Sequence, residues 1–203
     1  MTQLERRLAT PEVGELDRDR LMAGLRERAQ AEGLFDVAYA PMDSPLGELL
    51  VFVTRRGVVK ISYETETADE ALQEVADRVS PRILNAPERT DEVRRELEAY
   101  FVGSRQRFDV PVDWSLVRGF AGGVLRATAQ VPYGSISTYG EVAAAAGSPR
   151  AARAAGNALH VNPIPIVVPC HRVLPVNHRL GGYAGGPDRK RYLLALEGAS
   201  VHA

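Results

Sequence analysis

Ile164-Pro165-Ile166-Val167-Val168-Pro169-Cys170-His171-Arg172-Val173 holds the only cysteine of the chain, set between a proline and a histidine at the end of an apolar run. A thiol attacks as thiolate, and thiolate forms where a base or a positive charge stands beside it. His171 and Arg172 supply one of each within two residues. Taken alone, a cysteine after two valines is more often a small buried hydrophobe chosen for packing. Neighbours along an extended strand point to opposite faces, so in a strand His171 could not touch Cys170. A bridging water or a turn after Pro169 would reconcile the two.

The chain has 203 residues, enough for one domain with a sizeable core or for two small ones. A single cysteine excludes an internal disulfide, which fits a reducing cytosol. That cysteine and the four histidines (His160, His171, His178, His202) have no zinc-ligand spacing, so no metal site is expected. No apolar run approaches the ~20 residues of a membrane span and no secretory h-region opens the chain; the expectation is a soluble, cytoplasmic protein without a membrane partner. Net charge is −1, but it is divided unevenly. From Arg118 onward nine basic side chains face three acidic ones, giving +6 against −7 for the residues before. A basic second half is the footprint of a surface that meets phosphate.

Residues 1–34 read as a helical arm, with Asp17 as a cap, Leu21 and Leu25 on one face and Gly33 as its stop. From Phe35 the pattern turns to strand. Gly47 to Val53 and Val58 to Tyr63 flank Arg55-Arg56-Gly57, a β-hairpin signal. Thr67 to Glu70 forms a capping box ahead of Leu72, Val75, Ala76 and Val79, and Ser80-Pro81 ends that helix. A second helix is expected from Thr90, with Val93, Leu97, Tyr100 and Phe101 as its apolar stripe and Gly103 as its end. Val110 to Asp113 reads as a short linker strand. This first half, 35–110 with a linker at 111–117, is a small α/β unit without a catalytic constellation.

The second half, 118–203, is mostly helical. One helix runs from Phe120 to Ala129, and Thr138 to Glu141 is another capping box, for a helix ending at Gly147. Ser148 as N-cap and Pro149 at the first helical position would start the next helix, Arg150 to about Leu159. Two short helices joined through Gly-Ser make a helix-turn-helix. Ala151, Ala152, Ala154, Ala155 and Gly156 give the second a surface with almost no side chain, from which Arg150 and Arg153 project. Such a surface suits a minor groove bound with little sequence preference.

With these residues in place, Pro169 to Val173, Ser148 to Gly156, Tyr133-Gly134, Tyr139, Asn162-Pro163, Gly182 to Gly186 and Leu196-Glu197-Gly198 together resemble the O6-alkylguanine-DNA alkyltransferases, over roughly 35–198. The resemblance implies an N-terminal α/β domain of ribonuclease H type and a mostly helical, winged-helix-like domain carrying the helix-turn-helix. It implies a suicide DNA-repair activity: the damaged base is flipped from the duplex and its O6-alkyl group moves irreversibly to Cys170, once per molecule, without a cofactor. The partner would be double-stranded DNA containing O6-alkylguanine. The expected form is a monomer, with cooperative assembly along DNA left open.

By the same resemblance His171 is a water-bridged base, Glu197 its orienting carboxylate, and Asn162 the hinge that joins this network. Tyr139 helps rotate the nucleotide or donates to the base. The carbonyls of Cys170 and Val173 accept from the guanine amino group, while Tyr183, Ala184 and Pro165 line the pocket. Arg153 is the finger that fills the gap left by the extruded nucleotide, with Ser148, Arg150, Ala151, Ala152, Ala154 and Gly156 along the DNA. Arg172 is a structural guanidinium. Ala184 stands where some members carry serine, and Pro175 and His178 replace glycine-type turn residues. A non-catalytic binder or regulator of alkylated DNA is the competing reading, and binding alone does not need a thiol.

Overall fold

A computed structural model of the chain describes residues 15–177 and 179–199, and the chain divides into two compact units, 1–35 and 36–203. The first contains helix α1 (Glu15–Ala31). No residue between Gly14 and Leu21 opposes helix, so α1 reaches back past Asp17, which lies inside it rather than capping it. Leu21 and Leu25 are exposed. Pro11 and Gly14, which interrupt the helical pattern of the sequence, lie outside the described residues.

The second unit opens with a four-stranded sheet in the order β3-β2-β1-β4. β1 (Val37–Met42) pairs antiparallel with β2 (Leu49–Thr54), which pairs antiparallel with β3 (Gly57–Tyr63) across the expected hairpin. The alternation that marks these strands places Val37, Phe52 and Val59 in one core with Leu116 and with Ala71 and Val75 of helix α2 (Ala68–Arg78). Thr67 and Glu70 form the capping box in full. Strand β4 (Ile83–Asn85), which has no clear sequence signal, runs parallel to β1 and is only three residues long.

Helix α3 (Pro87–Phe101) packs along β1 and β2. It starts one turn before Thr90, because Pro87 at its head has φ preset for helix and no N–H to lose. Thr90 is buried within it, its hydroxyl donating to the Pro87 carbonyl. Val93, Leu97, Tyr100 and Phe101 are buried as their spacing requires.

Beyond α3 the chain returns to the sheet edge. Val110–Asp113 forms not a strand but a single bridge, with Val58 N–H donating to the Pro111 carbonyl at 2.9 Å and Asp113 N–H to the Val58 carbonyl at 2.8 Å. Ile61 of the same edge donates to the Pro163 carbonyl at 2.8 Å. An edge strand with open N–H and C=O groups is an aggregation template; here two returning loops cover it.

Helices α4 (Gly119–Thr128), α5 (Tyr139–Ala145) and α6 (Ala152–His160) pack on one another. α5 begins on the predicted Thr138/Glu141 capping box. Ser148 does not cap α6. Its N–H donates to the Ala143 carbonyl while that of Gly147 donates to Ala144, the hydrogen bonds of a Schellman closure of α5. A turn closed by Ala151 N–H on the Ser148 carbonyl follows, and α6 starts at Ala152, with Ala151 at its head and no side-chain cap.

The apolar run 164–168 is a compact loop rather than a strand. Val168 N–H donates to the Ile164 carbonyl, and Ile166 sits at φ 73°, a conformation β-branched residues rarely hold. Full burial of Ile164, Ile166 and Val168 holds it there. A 3₁₀ turn, Cys170–Arg172, follows and leads into β6 (Val173–Leu174), which pairs parallel with β5 (Ser137–Thr138). Helix α7 (Pro187–Leu196) packs against the cysteine turn. Among the described residues no helix is long and apolar enough to cross a membrane.

Gly57 has φ 128°, and a Cβ there would fall 2.0 Å from the Pro111 carbonyl oxygen. Gly57→Ala should therefore separate the hairpin from the 110–113 segment and cost about 2–3 kcal/mol, read as a lower urea midpoint.

Candidate active site

The turn after Pro169 decides the local geometry. Wrapping Cys170, His171 and Arg172 into 3₁₀ conformation buries all three side chains in different directions, as a strand could not. The Cys170 thiol accepts a hydrogen bond from Asn162 Nδ2 at 3.1 Å; the same amide donates to the Val168 carbonyl at 2.9 Å, and Asn162 Oδ1 takes the Ile164 N–H at 3.1 Å. Asn162 thus ties both ends of the apolar loop to the sulfur. Burial pushes the thiol's pKa up, with the Asn162 hydrogen bond and the Lys190 charge pulling the other way. At neutral pH the thiol is protonated at rest.

His171 is fully buried. Its Nε2 pairs with Glu197 Oε1 at 2.8 Å, and its Nδ1 is the ring nitrogen without a protein partner among the described residues. Burial lowers the imidazole's pKa despite the opposing pull of Glu197. His171 is therefore neutral at pH 7, with Nε2–H toward the carboxylate and Nδ1 able to accept.

Glu197, the last residue of the α7 turn, is also buried. Arg172 grips it through Nε on Oε2 and Nη2 on Oε1, both at 2.8 Å, and donates its Nη1 to the Val131 carbonyl at 2.5 Å. Gly134 N–H reaches Oε2 at 3.3 Å, and the Tyr100 hydroxyl donates to Oε1 at 2.6 Å. Burial would raise the carboxyl pKa, but hydrogen bonds from His171 and Arg172 lower it to about 2. Arg172, expected from the sequence as a structural guanidinium, thus joins the cysteine turn to Glu197 and to the Val131 carbonyl. Tyr100 was missed, since its place in the α3 stripe gave it the appearance of a core aromatic.

Cys170 lines two cavities. One, of about 270 Å³, is bounded by Tyr139, by Gly156, Asn157, Leu159 and His160 of α6, and by Gly182, Tyr183 and Ala184. The other, of about 310 Å³, runs toward the sheet past Pro165, Asn162, Tyr183, Ala184, Ile61 and Tyr63 to a Lys60–Glu66–Glu74 ion cluster. Tyr139, half-buried at the head of α5, is brought to the cavity by the β5–β6 pairing. Tyr63 and Tyr183 share a hydrogen bond at 2.8 Å across Gly185, where a Cβ would fall 2.7 Å from the Tyr63 ring. That close approach accounts for a glycine of the Gly-Tyr-Ala-Gly-Gly run.

The carbonyls of Cys170 and Val173, expected to read a guanine amino group, already hold protein donors: Val173 N–H on the first and the Lys190 ammonium, at 3.0 Å, on the second. Lys190 is buried, and burial lowers its pKa to about 8. Lys60 and Lys190 are the only lysines among 25 basic residues and both are buried. That count was a signal available in the sequence.

Arg150, Arg153 and Ala154 are exposed along one face of α6 and the turn before it, with Ser148, Ala151, Ala152 and Gly156 half-buried beside them. Ala155 and Ala158 are buried, so the small residues divide between a packing face and an open one. Asn157, exposed beside Arg153 and Ala154, belongs to the open face and was missed. His178 lies outside the described residues.

The ribonuclease-like domain of 6-O-methylguanine DNA methyltransferase matches residues 37–114, and the DNA-binding domain of the same proteins matches 119–199. The chain belongs to the 6-O-methylguanine DNA methyltransferase family. The methylated-DNA–protein-cysteine methyltransferase of Methanosarcina acetivorans is 39% identical over 161 residues, 79% of this chain and 98% of that one. The constitutive enzyme of Bacillus subtilis is 34% identical over 163 residues, covering 78% and 94%. The crystal structure of Mycobacterium tuberculosis O6-methylguanine methyltransferase superposes with TM-score 0.68 at 36% identity, over 80% of this chain and 93% of that one. The structure of the same organism's OGT in complex with DNA gives 0.67 at 36% identity, over 79% and 92%.

The carboxylate sets a pH limit. Glu197 has pKa about 2 in the fold against an ordinary 4.5, so its contribution to stability, about 3 kcal/mol, is present above pH 4.5 and is lost as pH falls through 2. Glu197→Gln should be about 3 kcal/mol less stable at pH 7, because the Arg172 charge is left buried and unpaired. The gap should narrow on titration toward pH 2, as read from urea midpoints.

Proposed function

We propose that the protein is a methylated-DNA–protein-cysteine methyltransferase that moves an O6-alkyl group from guanine in duplex DNA onto Cys170, once per molecule. The observation that carries this reading is the placement of the Cys170 sulfur, buried and held by Asn162, in the wall of the cavity bounded by α6, Tyr139, Tyr183 and Ala184. A nucleophile so placed meets a base only if the base leaves the stack. The chemistry supplies its own acceptor, so no cofactor takes part.

The step is a displacement at the alkyl carbon. The Sγ–C bond forms as the C–O6 bond breaks, the electron pair stays with the base, and the restored guanine takes up one proton. The thiol proton leaves toward neutral His171, whose Nδ1 accepts it through a bridging water while Glu197 steadies the charge that develops on the ring. A thiol with a raised pKa becomes reactive only when this base takes its proton. A thioether does not return to thiol, which ends the protein's activity after one transfer.

Tyr139 assists rotation of the nucleotide, and the Cys170 and Val173 carbonyls face its amino group alongside their protein donors. Pro165, Tyr183 and Ala184 wall the base. Arg153 fills the gap in the duplex, with Arg150, Ser148, Ala151, Ala152, Ala154 and Gly156 against the backbone. The domains divide at 35–110 and 118–203, the protein works as a cytoplasmic monomer, and 1–34 is an appendage to the repair unit.

Intact mass with peptide mapping after incubation with excess O6-methylguanine duplex tests the reading. One methyl on Cys170, saturating at one per protein, is expected; lesion binding with no mass change would replace repair by damage sensing. Cys170→Ala should take up no methyl yet bind duplex as before. Arg153→Ala should weaken duplex binding with little sequence dependence and reduce the salt slope by about one, measured by fluorescence anisotropy.

A further inference from the structure

We infer that Tyr100, a residue of the ribonuclease-like domain, is a positioning residue for the transfer step, acting through the Glu197 carboxylate. The inference rests on the proposed role of the Glu197–His171 pair. Tyr100 leaves α3, on the far side of the sequence from the cysteine, and donates its hydroxyl to Glu197 Oε1 at 2.6 Å with both groups buried. That oxygen is the one on which His171 Nε2 rests, and it also carries Arg172 Nη2. Three donors therefore share one oxygen, while Arg172 Nε and Gly134 N–H share the other.

The consequence follows from how hydrogen bonds divide charge. Each donor on Oε1 draws electron density from the carboxylate and leaves less of it for the imidazole. With the tyrosine in place, Glu197 holds the ring by its Nε2–H without drawing a proton onto it, so Nδ1 stays an acceptor. Without the tyrosine, the ring binds a proton more readily and the base is lost at a higher pH. The other charged and titratable groups around the pair are Arg172, Lys190 and Tyr133, whose hydroxyl is committed to the Leu196 carbonyl at 2.9 Å. None of them replaces the tyrosine hydroxyl on Oε1.

Packing does not require the hydroxyl. The Tyr100 ring lies 5.6 Å from Phe101, 5.3 Å from Phe108 and 6.1 Å from Tyr133 by centroids, and phenylalanine keeps all three contacts. Tyr100→Phe should fold and bind duplex as the parent does. The acid limb of its single-turnover rate–pH profile should move to higher pH by up to about one unit, the size of one hydrogen bond to a charged group. Ring ¹⁵N shifts of His171, read without any DNA, should show the same upward move. A Tyr100→Phe profile and titration that coincide with the parent's, whatever happens to the melting temperature, would reduce Tyr100 to a structural role. A parent protein that takes no methyl would remove the proposed function, and the ¹⁵N titration would still decide whether Tyr100 acts on the Glu197–His171 pair.

Discussion

A carboxylate taken out of water loses several kcal/mol of solvation unless hydrogen bonds and an opposite charge replace it. Glu197 meets that requirement with five hydrogen bonds drawn from four places in the sequence: Tyr100, Gly134, His171 and Arg172 twice. The donors belong to three elements, α3, the loop before β5 and the cysteine turn, so satisfying one side chain fixes all three against the end of α7. The same bonds set the histidine's tautomer. Structural demands from both halves of the second unit thus fall on one carboxylate, the one to which the proposed mechanism also assigns the steadying of His171.

The order of protonation in this core follows from burial and charge. Burial alone pushes the Cys170 thiol up and the His171 imidazole down, leaving a neutral pair beside a carboxylate that its donors keep ionised. A resting thiol in a small cavity is protected from adventitious oxidation, which attacks thiolate. The ring nitrogen Nδ1 of His171, buried and without a protein partner among the described residues, is an acceptor in the same core. Lys190, buried with its ammonium on the Val173 carbonyl, adds positive charge on the thiol side of the site.

The buried cysteine and the open face of α6 lie on separate surfaces that meet at one cavity wall. The α6 residues that face outward, Arg153, Ala154 and Asn157, carry little bulk apart from the arginine and the amide, whereas Ala155 and Ala158 face inward and let α6 lie close to its neighbours. Gly156 and Asn157 line the smaller Cys170 cavity as well. The open face of α6 therefore adjoins the cavity that Cys170 lines.

Much of this was legible in the residue order. The hairpin, both capping boxes, the α3 stripe, the basic second half and the lone cysteine between proline and histidine are local patterns, and short-range chemistry governs them. The strand β4, the start of α3, the closure of α5 on Ser148 and the loop at 164–168 were not, because there tertiary contacts outweigh weak local preference. Tyr100 and Lys190 illustrate the limit most plainly. A tyrosine in an apolar stripe and a lysine in a charged helix turn carry no mark of their partners, which lie 97 and 17 residues away. The sequence by itself determined which groups could react; only the packed chain decided which oxygen and which nitrogen each of them meets, since a buried polar group is defined by the partners that replace its water.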